Sequence, residues 1–515
     1  ECDQSNLWRG VVNCEHHGAS HEPLAMNSMN VIRGCHLRKV MMTRDMLYIN
    51  GSWTASTGES ALLVENPTSE EIIGSVPDGT IQDTDLAVKA AKNAFDSWSK
   101  SPIQERIKIL NALSESFKER SEELAEIITC EVGTPIEYSR IAMVGTPRVV
   151  SKSYAKLLDS YEWEEEIRNS IIVKEPIGVC AFITPWNFPL HQIIGKVAPA
   201  IAAGCTMVLK PSREAPINAF ILADMLHEIG LPDGVFNLVS GRGSTVGSRL
   251  SSHPDVDMIS FTGSTSAGIA VTEDAAKTVK RVTLELGGKS ANVVLEDADV
   301  IRAAKSSISA CFANSGQTCS ALTRLIVPES KISEMIPVIV ERVSKYKLGN
   351  PMDPSTRCGP MVSASQKESV LEYIRAGITE GATLVAGGPE DVEGIEKGHF
   401  VRPTVFRDVK PSMRIWKEEI FGPVLCIASY KDEDEALDLA NDSEYGLSGG
   451  VWSSDPGRAL QFARKMRTGQ VSINGGPFNV SAPFGGYKKS GNGRELGVYG
   501  LEEFLEIKSI QKPIQ

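Results

Sequence analysis

The segment Asn314-Ser315-Gly316-Gln317-Thr318-Cys319-Ser320 sets one thiol among small polar residues. A thiolate attacks carbonyl carbon, and an open polar setting with a glycine nearby lets a ligand reach the sulfur. Cys180, Cys205 and Cys426 lie instead in apolar runs and read as small buried hydrophobes. Glu285 closes an apolar run and precedes Gly287-Gly288-Lys289-Ser290. A strand-end acid beside glycines suits a general base, and it suits a structural ion pair equally well. Lys210 follows another apolar run directly, ahead of Pro211, which aims its charge at the same sheet edge.

Phe261-Thr262-Gly263-Ser264-Thr265-Ser266-Ala267-Gly268 joins a strand to a helix. Glycines there admit backbone amides to a phosphate at the helix N-terminus, although such turns also serve as plain connections. The Gly241-Arg242-Gly243 turn is a weaker signal of the same kind. His191, His227, His253 and His399 are isolated and read as structural or solvated, so a Cys–His hydrolase lacks its usual base. The ten cysteines show no paired spacing, so neither a metal centre nor a disulfide framework is indicated. A thiol, a carboxylate and a dinucleotide-type turn remain.

The elements that must position these groups alternate. Strand-length apolar runs occur at Val179–Ile183, Thr206–Leu209, Val235–Val239, Met258–Phe261 and Val282–Leu284, with helical stretches at 190–204, 217–229, 244–252 and 266–277 between them. Such alternation predicts right-handed crossovers and a doubly wound parallel sheet, which binds ligands beyond the carboxyl ends of its strands. A second strand-and-helix series from Ala291 to about Tyr487 predicts a second α/β domain. Ahead of the first sheet, Leu47 to Trp53 reads as strand and turn. Thr80 with Asp83 resembles a capping box, and Ile107, Leu110, Leu113 and Phe117 share one face of a helix after Pro102.

The chain of 515 residues is too long for one core, so two or three domains are expected. Lys+Arg number 53 and Asp+Glu 65, a net charge of −12 that argues against a nucleic-acid partner. Val197–Gly204 is the best apolar stretch and is far too short to span a bilayer, so no membrane is expected, and cysteine usage suits a reducing, cytoplasmic compartment. The first 45 residues hold four histidines and three cysteines without periodicity. Cys14, His16 and His17 could bind a metal, but the segment reads as a disordered or non-native leader ahead of a start near Met41, Met42 or Met46.

From about Leu47 onward, over roughly nine-tenths of its length, the sequence resembles the NAD(P)-dependent aldehyde dehydrogenases. The resemblance rests on Pro185-Trp186-Asn187-Phe188-Pro189, Leu284-Glu285-Leu286-Gly287-Gly288-Lys289, Gly316-Gln317-Thr318-Cys319, Glu418-Glu419-Ile420-Phe421-Gly422-Pro423 and Pro483-Phe484-Gly485-Gly486-Tyr487-Lys488, in that order. It implies Cys319 as nucleophile, forming a thiohemiacetal and then a thioester. It implies the Asn187 amide and the Cys319 N–H as oxyanion hole, Glu285 as general base, and Lys196 with Glu495 as the proton relay.

For the cofactor, NAD or NADP, the resemblance implies Ile183, Thr184, Pro185, Trp186, Lys210, Ser212, Arg213, Gly243, Phe261, Gly263, Ser264, Gly268, Leu286, Glu419 and Phe421. Many NAD-preferring relatives carry an acid where this chain has Arg213. The change removes repulsion of a 2′-phosphate unless neighbouring Glu214 takes over. For the substrate it implies Phe188, Gly195, Thr318, Ser320, Phe478 and Phe484, with Gly195 widening the passage where relatives carry a bulky aromatic.

The implied fold is aldehyde-dehydrogenase-like: a Rossmann-type cofactor domain at 46–159 and 176–286, a catalytic α/β domain at 287–490, and oligomerisation segments at 160–175 and 491–515. A homodimer or homotetramer is expected. The implied substrate is an aromatic or medium-chain aldehyde. The alternatives are a semialdehyde dehydrogenase, acting on succinate semialdehyde or another ω-oxo acid, and a cysteine esterase or acyl-transferase without redox chemistry.

Overall fold

A computed structural model describes residues 42–514. Cys14, His16 and His17 lie outside the described residues. Met42–Thr43 already pairs with the strand Glu71–Pro77, and Arg44 forms an ion pair with Asp224 at 2.8 Å. Ordered contacts are therefore already made by residues 42–44, inside the span expected to be leader.

Five parallel strands form the centre of the first sheet. Their spatial order is Arg281–Glu285, Met258–Thr262, Val179–Ile183, Thr206–Lys210, Phe236–Leu238. Two successive crossovers run one way from Val179–Ile183 and the remaining two the other way. The strand order thus reverses beside Val179–Ile183, and a crevice opens beyond the carboxyl ends there. The pair Met46–Ile49 and Ser52–Ala55 extends one edge antiparallel, its turn made by Asn50 and Gly51 at φ of +54° and +74°. Gly491–Asn492 closes the other edge.

Both faces of this sheet are covered, so its strands are continuous apolar runs. Cys180, Phe182, Met207 and Leu209 pack one way with the helices Pro189–Ala203 and Ile217–Glu228. Val179, Ala181, Ile183 and Val208 pack the other way with Ala87, Val88 and Ala91. Thr80 caps the helix Ile81–Trp98 in a full capping box with Asp83, as its spacing predicts. Ile107, Leu110, Leu113 and Phe117 are buried on the helix Ile103–Glu119. The predicted helix at 244–252 is instead a wide π turn, Gly243–Gly247, followed by a short helix, Ser248–Ser252.

The helix Pro189–Ala203 carries several candidate residues, and both its ends are fixed. Pro189 opens it with φ already suited to a helix, and Gly204 ends it at φ +92°. Buried Arg106 donates to the carbonyls of Ala202 and Ala203, which otherwise lack intrahelical partners.

The second sheet has seven strands, in the order Thr383–Ala386, Thr404–Arg407, Val424–Tyr430, Arg324–Pro328, Ala291–Val294, Ser448–Trp452, Gln470–Ile473. All pairs are parallel except the first. A separate antiparallel sheet joins Glu164–Ile167, Ser170–Pro176 and Leu505–Gln511, which fall in or beside the segments expected at 160–175 and 491–515. Among the described residues no helix is long and apolar enough to cross a membrane.

Candidate active site

The helix Val300–Phe312 gives way to a turn in which Asn314, Ser315 and Gly316 are successively left-handed, at φ of +51°, +56° and +75°. Such a run is costly for residues with a Cβ, and side-chain bonds hold it. Asn314 Nδ2 donates to the Asn187 carbonyl at 2.9 Å, and Asn314 Oδ1 accepts from the Thr134 hydroxyl at 2.7 Å. Ser315 Oγ donates to the Gly359 carbonyl at 3.0 Å. Gly316 has no alternative, because a Cβ there would sit 2.1 Å from the Gly422 oxygen. The turn leaves Thr318, Cys319 and Ser320 half-buried, while the other six free cysteines among the described residues are buried.

Glu285 ends its strand between Thr262 on one side and Gly491 on the other. A Cβ on Gly485 would come within 2.6 Å of Glu285 Oε1, so only glycine leaves room for the carboxylate. Its other oxygen, Oε2, is buried without a hydrogen-bond partner. Burial pushes the Glu285 pKa well above the usual carboxylate range, Glu495 pushes the same way, and Lys196 and Arg494 oppose. Lys196 and Glu495 form an ion pair, and Lys196 Nζ also donates to Thr262 Oγ1 at 2.8 Å. The thiol of Cys319 is also raised, by burial first and then by Glu419 and Glu285. At neutral pH the sulfur is therefore protonated and must lose its proton to a base before it attacks.

Asn187 is buried just beyond the strand Val179–Ile183. Its Nδ2 donates to the Gln317 carbonyl at 3.0 Å, which ties the amide to the Cys319 turn. A carboxamide has two N–H donors, so one is left to face a ligand.

The residues matched to the cofactor gather at the crevice edge. Ile183 and Thr184 are buried at the end of the central strand, with Pro185 half-buried after them. Trp186 meets Phe421 edge-on at 5.4 Å. Phe421 sits at φ +57°, its carbonyl held by Gln366 Nε2 at 3.0 Å. Glu419 Oε1 accepts from the Gly288 N–H at 2.9 Å, and burial raises its pKa to about 7. Lys210 Nζ donates to Pro211 and Gly241 carbonyls at 2.8 and 3.1 Å, leaving one donor, and burial lowers its pKa to about 8.

Ser212 Oγ accepts from the Glu214 N–H, and the exposed Arg213 pairs with Glu214 at 2.9 Å. Ser264 caps the helix Thr265–Ala276. Gly263 and Gly268 are tight against Phe261 and Leu286, where a Cβ would meet ring or methyl carbon at 2.6 and 2.7 Å. Those two glycines pack the turn, whereas Gly243 has nothing within 4 Å and lies open.

Of the residues expected to face the substrate, Phe478 meets Phe484 at 6.0 Å and Phe188 meets Tyr138 at 6.2 Å, both edge-on. Thr318 Oγ1 turns back to the Ala313 carbonyl at 3.2 Å. Gly195 faces Glu495: a Cβ there would lie 3.2 Å from Glu495 Oε2. Four residues to which sequence reasoning gave no place in the site belong to the same neighbourhood. Thr262 holds Lys196 and Gln366 holds Phe421. His191 packs on Phe478, and Gln192 is buried one residue on. Strand-end position could have flagged Thr262; nothing local flags the others.

A model of the aldehyde dehydrogenase family matches residues 53–510. The chain is 48% identical over 466 residues to the 3-succinoylsemialdehyde-pyridine dehydrogenase of a Pseudomonas species, covering 90% of this chain and 97% of that one. Aldehyde dehydrogenase C of Pseudomonas syringae, solved as a mutant with NAD+ and octanal, superposes with a TM-score of 0.90 at 47% identity, covering 91% of this chain and 96% of that one. The NAD+ complex of a Mycobacterium tuberculosis aldehyde dehydrogenase gives 0.89 at 40% identity, covering 92% and 98%.

Proposed function

The chain belongs to the aldehyde dehydrogenase family and is an NAD(P)-dependent aldehyde dehydrogenase; from that premise we propose that it oxidises medium-chain or aromatic aldehydes to carboxylic acids through Cys319. The observation that carries this reading is the Cys319 turn itself. It holds the one cysteine left half-open among the described residues, ties it to the Asn187 amide, and sets it against the carboxylates of Glu285 and Glu419.

Glu285, with its raised pKa and unpartnered Oε2, is matched to take the thiol proton. The Cys319 sulfur then bonds to the aldehyde carbon, and the new oxyanion accepts from the free Asn187 N–H and the Cys319 backbone N–H. NAD(P)+, when bound, supplies the acceptor for the hydride that leaves the thiohemiacetal carbon. Lys196 with Glu495 passes the thiol proton outward, which frees Glu285 to take a proton from the water that attacks the thioester; the C–S bond breaks, and Glu285 returns this second proton to the departing sulfur. The net change is aldehyde, water and NAD(P)+ to carboxylic acid, NAD(P)H and a proton.

The residues present fit the dinucleotide. Lys210 keeps a spare donor, Ser264 opens a twelve-residue helix, Gly243 is uncovered, and Glu419 and Phe421 stand beside Trp186. The solved relatives hold NAD+. Because Glu214 neutralises Arg213, the ribose end offers little net charge to a 2′-phosphate, which favours NAD over NADP. A cysteine esterase is disfavoured, since the groups that act electrostatically on the thiol are carboxylates and not histidine.

The first sheet serves as cofactor domain (46–159 and 176–286) and the second as catalytic domain (287–490). The segments 160–175 and 491–515 pair subunits into a homodimer or homotetramer. The test is growth of reduced-nicotinamide absorbance with hexanal or benzaldehyde, run with NAD+ and with NADP+. Activity should be higher with NAD+ and vanish in Cys319→Ala; turnover at the parental rate in that variant would overturn the reading.

A further inference from the structure

The helix Pro189–Ala203 presents Phe188, Gln192 and Gly195 in steps of four and three residues, one line along its surface, with His191 beside that line one turn before Gly195. Two polar atoms are stranded there. His191 Nδ1 and Gln192 Oε1 are buried without a hydrogen-bond partner, and Gln192 is only 4% exposed. Buried polar groups are almost always paired, so each unpaired one calls for an explanation.

The opposite wall is aromatic. The His191 ring stands edge-on to Phe478 at 6.2 Å, and Phe478 stands edge-on to Phe484, whose backbone is bonded in both directions to Glu495. The histidine thus packs against Phe478, one of the phenylalanines that the family resemblance sets along the substrate passage. Burial lowers the His191 pKa to about 4, with Lys196 adding to the effect and Glu495 opposing it. At neutral pH the ring is uncharged, so one nitrogen donates and the other accepts.

We propose that His191 and Gln192 form a polar subsite within this aromatic passage, selecting aldehydes that carry a neutral oxygen function, a keto or hydroxyl group, on the chain behind the reacting carbonyl. The proposal rests on the aldehyde-oxidising reading above and deepens it. A neutral imidazole and a carboxamide satisfy a carbonyl or hydroxyl but give a carboxylate no counter-charge. An ω-oxo acid would therefore lose its hydration at this place and gain no ion pair.

The experiment compares kcat/KM of the purified full chain for hexanal, 4-oxohexanal and succinate semialdehyde with NAD+. The keto aldehyde should exceed hexanal by about tenfold, since a site built to hydrogen-bond disfavours the analogue that cannot. Succinate semialdehyde should fall below both. In His191→Leu and Gln192→Met the ratio of 4-oxohexanal to hexanal should drop toward one, and His191→Asn should restore part of it. Because the readout is a ratio within one protein, a general loss of activity or fold divides out. A ratio near one in the parent, a ratio unmoved by both substitutions, or a preference for succinate semialdehyde overturns the subsite. Failure of the parent to oxidise any of the three overturns the aldehyde reading instead.

Discussion

Asn187 is bonded on both sides of its own residue: its carbonyl receives Asn314 and its amide reaches Gln317. Removing the amide should cost twice, through the lost oxyanion donor and through a Gln317 carbonyl left with only Asn314 Nδ2 at 3.3 Å. Asn187→Ala is expected to lower kcat by about 10²–10³-fold in steady-state assays. KM should change less, because that donor acts where charge develops. At this scale the sequence was legible where contrast was local. Cys319 stands out among polar neighbours, and Glu285 follows an apolar run. Asn187, Lys196 and Glu495 took their meaning from the family resemblance. The ion pair that joins the last two spans almost 300 residues, 196 to 495, and no local pattern announces it. His191 passed as one more isolated histidine, because its partner ring, Phe478, comes from a distant loop.

Elements were legible in proportion to how completely burial decided them. The five parallel strands of the first sheet appear within a residue or two of their apolar runs, since both faces are covered and every side chain must be apolar. The region 243–252 is not decided that way, and there the chain takes a wide turn before its helix. Helix ends also drew on remote help that no local spacing records. Ile217–Glu228 follows Pro216 and has no cap of its own; its first N–H groups are met by Glu131, from the end of the helix Ser121–Val132. Glu131 accepts from Ile217 N at 2.6 Å and from Asn218 N and Nδ2 at 3.3 and 2.8 Å.

Burial of Glu131 lifts its pKa from 4.5 to about 7. A raised acid pKa in the folded state means that the native chain binds the proton more tightly than the unfolded chain. The associated stability is fully present below about pH 4.5 and is lost as pH rises through about 7. Glu131→Gln should remove that dependence. Melting curves taken from pH 4.5 to pH 8 should show the parent losing ground to the variant by a few degrees, and parallel curves would contradict the assignment.

At the scale of the whole molecule, the three-stranded sheet is the part least able to stand alone. Its two outer strands have open edges, and Ile507 is 71% and Ile510 46% exposed on one of them. Exposed apolar edge strands invite pairing, which is why subunit association is their proposed use. Light scattering should give the mass of a dimer or tetramer for the parent. Ile507→Lys with Ile510→Lys should give a smaller species, and an unchanged mass would count against the role of this edge. The hairpin was expected from the family resemblance, and its strands Glu164–Ile167 and Ser170–Pro176 lie within a residue of the expected span. The meeting of the two larger sheets was not legible locally, because its contacts join residues far apart in sequence, such as Asn187 with Gln317 and Trp186 with Phe421, and several of them need glycine on one side.

That meeting has a practical consequence. A Cβ on Gly287 would fall 2.1 Å from Glu419 Oε2, one on Gly288 would fall 2.5 Å from the Cys319 oxygen, and one on Gly316 would strike the Gly422 carbonyl. A library that randomises Gly288 and Gly316 would mostly return dead clones, since a Cβ at either strikes backbone of the thiol loop or of its seat, whereas Gly287 meets only the movable end of Glu419. Protein engineers seeking a new aldehyde range would do better to leave that clasp untouched and vary the Phe478 wall opposite it.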